Sequence, residues 1–128
     1  MLAYHSNPEL KTFVLNQLAA HREADKLVKG IYWEHGKGCA VGCTLEAVRL
    51  HNGNASKKIS HASHALYETE LGIPRILARL EDRFFENLSN GESQAWPERF
   101  TSAIKPGADL ALIWPRFALW LLTEECPQ

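Results

Sequence analysis

IPRILARLEDRFFENL, residues 73–88, is the stretch that decides the fold class. Its apolar side chains recur at the three- and four-residue spacing of a helix, which predicts a helix that begins at Pro74 and has one buried face. The predicted inward face consists of Ile76, Leu77, Leu80, Phe84 and Leu88. The predicted solvent face consists of Arg75, Arg79, Asp82, Arg83 and Glu86. Ser89-Asn90-Gly91 is expected to end this helix.

The same helical spacing recurs on both sides of this stretch. Asn7-Pro8 is a typical helix start, and the following helix is expected to continue until Gly30. Further helices are predicted over residues 39–50 and 60–71, with Gly72 as the terminating residue. Long alternation of polar and apolar residues, the mark of a strand, is absent from the sequence. We therefore expect an all-α fold, a single-domain bundle of about five to seven helices over residues 1–128.

Composition and charge exclude several classes of function. The chain has 128 residues, of which 45% are hydrophobic and 23% charged, with a net charge of -1. A net charge this close to zero argues against nucleic-acid binding, which usually needs a basic surface. The N-terminus lacks the pattern of a secretory signal, and the three cysteines are an odd number. We therefore expect a cytoplasmic protein with reduced thiols.

The most apolar segment is ADLALIWPRFALWLL, residues 108–122. It is too short, and too interrupted by Asp109, Pro115 and Arg116, to cross a bilayer, which takes about 20 apolar residues. Pro115 should kink this helix or begin a new one. Because the apolar residues cover more than one helical face, we expect the protein to form a homo-oligomer.

The segment HGKGCAVGCT, residues 35–44, holds the residues most suited to chemistry. Cys39 and Cys43 share one helical face, and His61 and His64 share one face of the next helix. Two thiolates and two imidazoles would suit zinc or another transition metal in a tetrahedral site. A weaker variant of this site would use His51, His61, His64 and Glu68.

Two other chemical roles remain open for the same segment. An anion or small ligand would be bound by the glycine loop and its aromatic neighbours, namely Tyr32, Trp33, His35, Gly36, Lys37 and Gly38. The order of these residues does not match a phosphate-binding P-loop. Alternatively, a helix start would lower the pKa of Cys39 and make it a nucleophile, with His35, His61 or His64 as the base.

The favoured interpretation of the segment is structural. Gly38 and Gly42, like Cys39 and Cys43, are four residues apart. Small side chains at this spacing allow the backbone of the helix to approach its neighbours closely. Close packing alone therefore accounts for the composition of residues 35–44.

Three segments resemble a family of small bacterial proteins known as a domain of unknown function. They are GKGCAVGCT (residues 36–44), YETELGIPRILARLEDRFFENL (67–88) and the tail WPERFTSAIKPGADLALIWPRFALWLL (96–122). The resemblance implies a bacterial or phage origin and carries no established activity.

Two functions are therefore expected from the sequence. The first is a non-enzymatic helical domain that needs no cofactor and binds a protein partner or a small ligand. The second is a metal-binding protein or thiol-dependent enzyme that uses Cys39 and Cys43 with His61 and His64.

Overall fold

The chain folds into a bundle of short helices. The computed structural model describes residues 1–53, 59 and 61–120, apart from the side chains of residues 61, 62 and 114. The α-helices are α1 (Pro8–Glu23), α2 (Ala40–His51), α3 (Leu66–Leu71), α4 (Arg75–Asn87), α5 (Asn90–Ala103) and α6 (Ile113–Trp120). Two 3-10 helices, Ala3–Ser6 and His61–Ala65, precede α1 and α3. Within the described ranges there is no strand, which confirms the predicted all-α class.

The start of α1 is the one that the sequence predicts, but its end is not. The Asn7 side chain accepts a hydrogen bond from the Glu9 amide at 3.0 Å, so it caps the helix. The helix stops at Glu23 rather than near Gly30, because Asp25 takes a left-handed conformation with φ 57°. Residues 24–39 form an irregular connection to α2 instead of a continued helix.

The predicted signals around α3 and α4 are partly correct. Gly72 has φ 63° and ends α3, as expected from the sequence. The segment Ser89-Asn90-Gly91 follows α4 and also begins α5. The Ser89 hydroxyl caps α5 by accepting a hydrogen bond from the Glu92 amide at 3.3 Å. The proline-containing segment around residue 97 therefore continues a helix that starts at Asn90.

The buried face of α4 differs from the predicted one. Leu77 is buried as expected, but the other buried positions are Ala78, Glu81 and Phe85, while Phe84 is 42% exposed. α4 packs against both α2 and α5, so its buried face is wider than one apolar stripe. A carboxylic acid, Glu81, is consequently placed in the core.

The core lies where α1, α2, α4 and α5 meet. α2 is its central element, since nearly all residues from Ala40 to Val48 are buried, while Tyr67 and Phe85 fill the space beside it. The Tyr4 hydroxyl donates to the Thr101 carbonyl at 2.7 Å, which attaches the N-terminal segment to α5. α6 lies at the end of the described chain, and most of its described apolar side chains are exposed. None of the helices in the described ranges has the length and apolar character needed to cross a membrane.

Candidate functional site

Gly38, before α2, and Gly42, within it, allow the start of this helix to pack directly on the backbone at Tyr32. A Cβ atom at Gly42 would lie 1.4 Å from the Tyr32 carbonyl oxygen, and one at Gly38 would lie 2.1 Å from it. The predicted close packing is confirmed, although the neighbour is the backbone of the connecting loop rather than a helix. This contact fixes Tyr32 beside the start of α2.

Cys39 is the residue at the start of α2. Its thiol is buried, and burial raises its pKa to about 12, although the backbone amides of Gly42 and Val41 lower it in part. The expectation that the helix start lowers the pKa of Cys39 is therefore wrong, because desolvation outweighs the effect of the helix terminus. At neutral pH the free thiol is protonated and is a poor nucleophile.

Two carboxylates of α4 lie next to this thiol. Asp82 and Glu86 are four residues apart and project from one face of the helix. The ligand atoms of Cys39, Asp82 and Glu86 all lie within 4.8 Å of one another. We call these three residues the Cys–Asp–Glu cluster.

Neighbouring groups hold both carboxylates in place. Oδ2 of Asp82 accepts a hydrogen bond from the Tyr32 hydroxyl at 3.0 Å and lies 3.1 Å from Nε2 of His64. The rings of Tyr32 and His64 also meet edge to face, with centroids 5.7 Å apart. Both carboxylate oxygens of Glu86 lie near the Gly30 amide, at 3.0 and 3.2 Å. The cluster is therefore positioned by the connection between α1 and α2, by the 3-10 helix His61–Ala65 and by α4 itself.

Glu81, the residue before Asp82, is fully buried in the core. Its Oε1 accepts a hydrogen bond of 2.6 Å from the Tyr67 hydroxyl, while Oε2 has no hydrogen-bond partner in the described part of the chain. Burial raises the pKa of Glu81 to about 8, against the smaller opposite effect of the Tyr67 hydrogen bond. At neutral pH this carboxyl group is mostly uncharged. It is close enough to Cys39 and Cys43 for its negative form to raise the pKa of both thiols.

The predicted set of Cys39, Cys43, His61 and His64 is only partly brought together. Cys39 belongs to the cluster, and His64 contacts the cluster through Asp82. Cys43 directs its thiol to the Gly38 carbonyl at 3.3 Å. The side chain of His61 lies outside the described residues.

The weaker variant of the metal site is not assembled by its described members. His51 is on the far end of α2, where Nδ1 lies 3.1 Å from the Asn52 side chain. Glu68 forms an ion pair of 3.0 Å with Arg75. These groups use their polar atoms elsewhere on the surface.

The residues predicted to bind an anion or ligand point in several directions. The amides of Lys37, Gly38 and Cys39 donate to backbone carbonyls at 2.7–3.0 Å, so they are occupied within the chain. His35 and Gly36 form the turn before them, both with positive φ. Trp33 packs on His21, with ring centroids 5.3 Å apart. Of this group, Tyr32 is the residue that reaches the Cys–Asp–Glu cluster.

Asp82 and Glu86 are functional candidates that the sequence interpretation placed in solvent. The signal that could have found them is their spacing of four residues, which puts two carboxylates on one side of α4. Their approach to Cys39 depends on how α4 packs against α2, and a local pattern does not contain that information.

No protein-family model, curated protein sequence or solved structure matches this chain. The resemblance to small bacterial proteins therefore stays an expectation, and functional inference rests on the geometry of the site.

Proposed function

We propose that this protein binds a divalent transition-metal ion, with zinc as the best fit, through Cys39, Asp82 and Glu86. The observation that carries the proposal is the approach of one sulfur and two carboxylate ligand atoms to within 4.8 Å of one another. This is the metal-binding form of the second function expected from the sequence, with Asp82 and Glu86 as ligands in place of Cys43, His61 and His64.

The donor set favours zinc over calcium or magnesium. Zinc binds cysteine sulfur at about 2.3 Å and carboxylate oxygen at about 2.0–2.2 Å, whereas calcium and magnesium prefer oxygen alone. A zinc ion bound by all three residues would need their ligand atoms within about 3.5–3.8 Å of one another. The ligand atoms, which lie within 4.8 Å of one another, would therefore have to approach by up to roughly 1 Å through side-chain rotation.

The surroundings support the same assignment. Tyr32 and His64 hold one oxygen of Asp82, and the Gly30 amide holds Glu86, which is the outer-shell arrangement that orients metal ligands. Asp82 and Glu86 are partly exposed, so an ion has a path from solvent. Three protein ligands leave a fourth position for water or a ligand.

The buried, protonated thiol favours metal binding over thiol catalysis. A nucleophilic cysteine needs a lowered pKa, whereas that of Cys39 is raised. A metal ion that binds Cys39 displaces the thiol proton. Metal binding should therefore release protons, and the metal affinity should decrease as the pH falls.

Titration of zinc into EDTA-treated and desalted protein, followed by calorimetry and elemental analysis, tests the proposal. We expect one ion per chain, with affinity lowered at least about 100-fold by Cys39→Ser and by Asp82→Asn. Cys43→Ser is the matched control, because its thiol bonds to a carbonyl outside the cluster. Substoichiometric zinc, or loss of zinc in Cys43→Ser with retention in Cys39→Ser, would refute the proposal.

A further inference from the structure

The C-terminal part of the described chain exposes many large apolar side chains. Of the nine that are exposed among the described residues, four lie between positions 112 and 120. Leu112 is 64% exposed, Leu119 63%, Trp120 47% and Ile113 42%. We call residues 112–120 the α6 ridge. A concentration of this kind on one element is typical of an interaction surface.

An open groove with a volume of about 560 Å³ adjoins this ridge. Most of its lining residues are apolar, and Ile113 belongs to both the groove and the ridge. The main apolar residues that line it are Leu77, Trp96, Phe100, Ile104, Leu110 and Ile113. Phe84, which is 42% exposed, extends the apolar surface because its ring lies 5.2 Å from that of Trp96.

The exposed apolar area approaches what a stable protein interface needs. If a large side chain offers about 200 Å², the exposed fractions of the ridge and Phe84 amount to roughly 500 Å² before the groove walls are counted. A standard interface buries about 800 Å² on each partner. The ridge and the groove together come close to that value.

We propose that a second copy of this chain covers this surface, with the α6 ridge of each copy lying in the groove of the other. A twofold interface requires complementary shapes side by side on one molecule, and here a convex helix adjoins a concave groove. α6 has eight residues and is therefore ~12 Å long. Two of the lining residues, Arg99 and Lys105, are charged, and charged groups beside an apolar surface are typical of the rim of a protein interface.

This interface is independent of the metal proposal. The groove is formed by α4, α5 and residues 104–113, and it shares no lining residue with the Cys–Asp–Glu cluster. Failure of one proposal therefore leaves the other standing.

Light scattering after size-exclusion chromatography, together with sedimentation velocity, tests the second-copy interface on the full chain. The expected mass is twice the 14.4 kDa of one chain at micromolar concentrations. Leu112→Glu places a charge on the ridge and Ala103→Arg fills the groove, and both should raise the dimer dissociation constant about 100-fold or more. Both positions are exposed in the single chain, so circular dichroism should show unchanged folding.

Each variant has a matched control outside the surface. The control for Leu112→Glu is Leu50→Glu, because Leu50 is also an exposed leucine, at 47%, but lies outside the ridge and the groove. The control for Ala103→Arg is Ser102→Arg, because Ser102 is the neighbour of Ala103 and does not line the groove. Both controls should remain dimeric. Weak dimers form at protein concentrations on the order of 100 µM. If the wild-type protein is still a monomer at that concentration, the proposal is overturned. A dimer that Leu50→Glu dissociates and Leu112→Glu leaves intact would also overturn it.

Discussion

Replacement of Gly42 by alanine tests the packing that positions the candidate site. The added Cβ would lie 1.4 Å from the Tyr32 carbonyl oxygen and 2.4 Å from the carbonyl carbon. Both neighbours are backbone atoms, so no flexible side chain is available to move away. Either α2 or the loop at Tyr32 must shift.

The cost follows from two opposing effects. Alanine is better than glycine inside a helix by about 1 kcal/mol. Overpacking against a rigid neighbour costs about 1–3 kcal/mol, and more when backbone must move. Both distances to the Tyr32 carbonyl are far shorter than van der Waals contact, and the atoms involved belong to the backbone. We therefore expect Gly42→Ala to lower the free energy of unfolding by about 3 kcal/mol. For a chain of this size that corresponds to a decrease in Tm of ~10 °C.

Thermal and urea unfolding followed by circular dichroism measure the effect. Gly91→Ala is the matched control, because Gly91 also lies in a helix but a Cβ there meets nothing within 4 Å. The control should be neutral or stabilised by up to about 1 kcal/mol. Equal stability of the two variants would show that α2 does not pack on Tyr32 as described.

Further predictions concern titration and the ligands. Burial raises the pKa of Glu81 from 4.5 to about 8, so between these pH values the folded state keeps a proton that the unfolded state loses. In EDTA, the free energy of unfolding should therefore fall as the pH rises through this range, by at most about 5 kcal/mol. Glu81→Gln should remove this slope in urea titrations at several pH values, and an unchanged slope would contradict the burial of an uncharged acid. Burial, together with Lys26, lowers the pKa of His21, so its contribution to stability is present above pH 6.5 and is lost as the pH falls below it. His21→Gln should flatten that acid limb, and an identical acid limb in the variant would refute the assignment. Tyr32→Phe removes one hydrogen bond to Asp82 and should weaken zinc binding about 10–100-fold in calorimetry, whereas wild-type affinity would show that the hydroxyl does not orient the ligand.

Local signals allowed much of the fold to be predicted. The Asn7 side chain caps an amide two residues away, and Gly72 ends α3 through its own backbone conformation. Both signals are local, so they can be recognised without knowledge of the rest of the chain. The end of α1 escaped prediction because Asp25, rather than a glycine, takes the left-handed conformation. The buried face of α4 escaped it because an apolar pattern does not indicate a buried acid such as Glu81.

The candidate site could be predicted only in part. Cys39 stands out because of its glycine neighbours and its spacing from Cys43. Asp82 and Glu86 look like ordinary solvent-facing charges on an amphipathic helix. They become ligand candidates only when α4 is packed against the start of α2, and that contact depends on the tertiary fold rather than on local spacing.

Anomalous X-ray diffraction from zinc-soaked crystals, recorded on both sides of the zinc absorption edge, tests the metal proposal most directly. We predict one strong anomalous peak per chain, about 2.3 Å from Sγ of Cys39 and about 2.0–2.2 Å from an oxygen each of Asp82 and Glu86. A peak bound instead by Cys43, or no peak near Cys39 at full zinc saturation, would contradict the account.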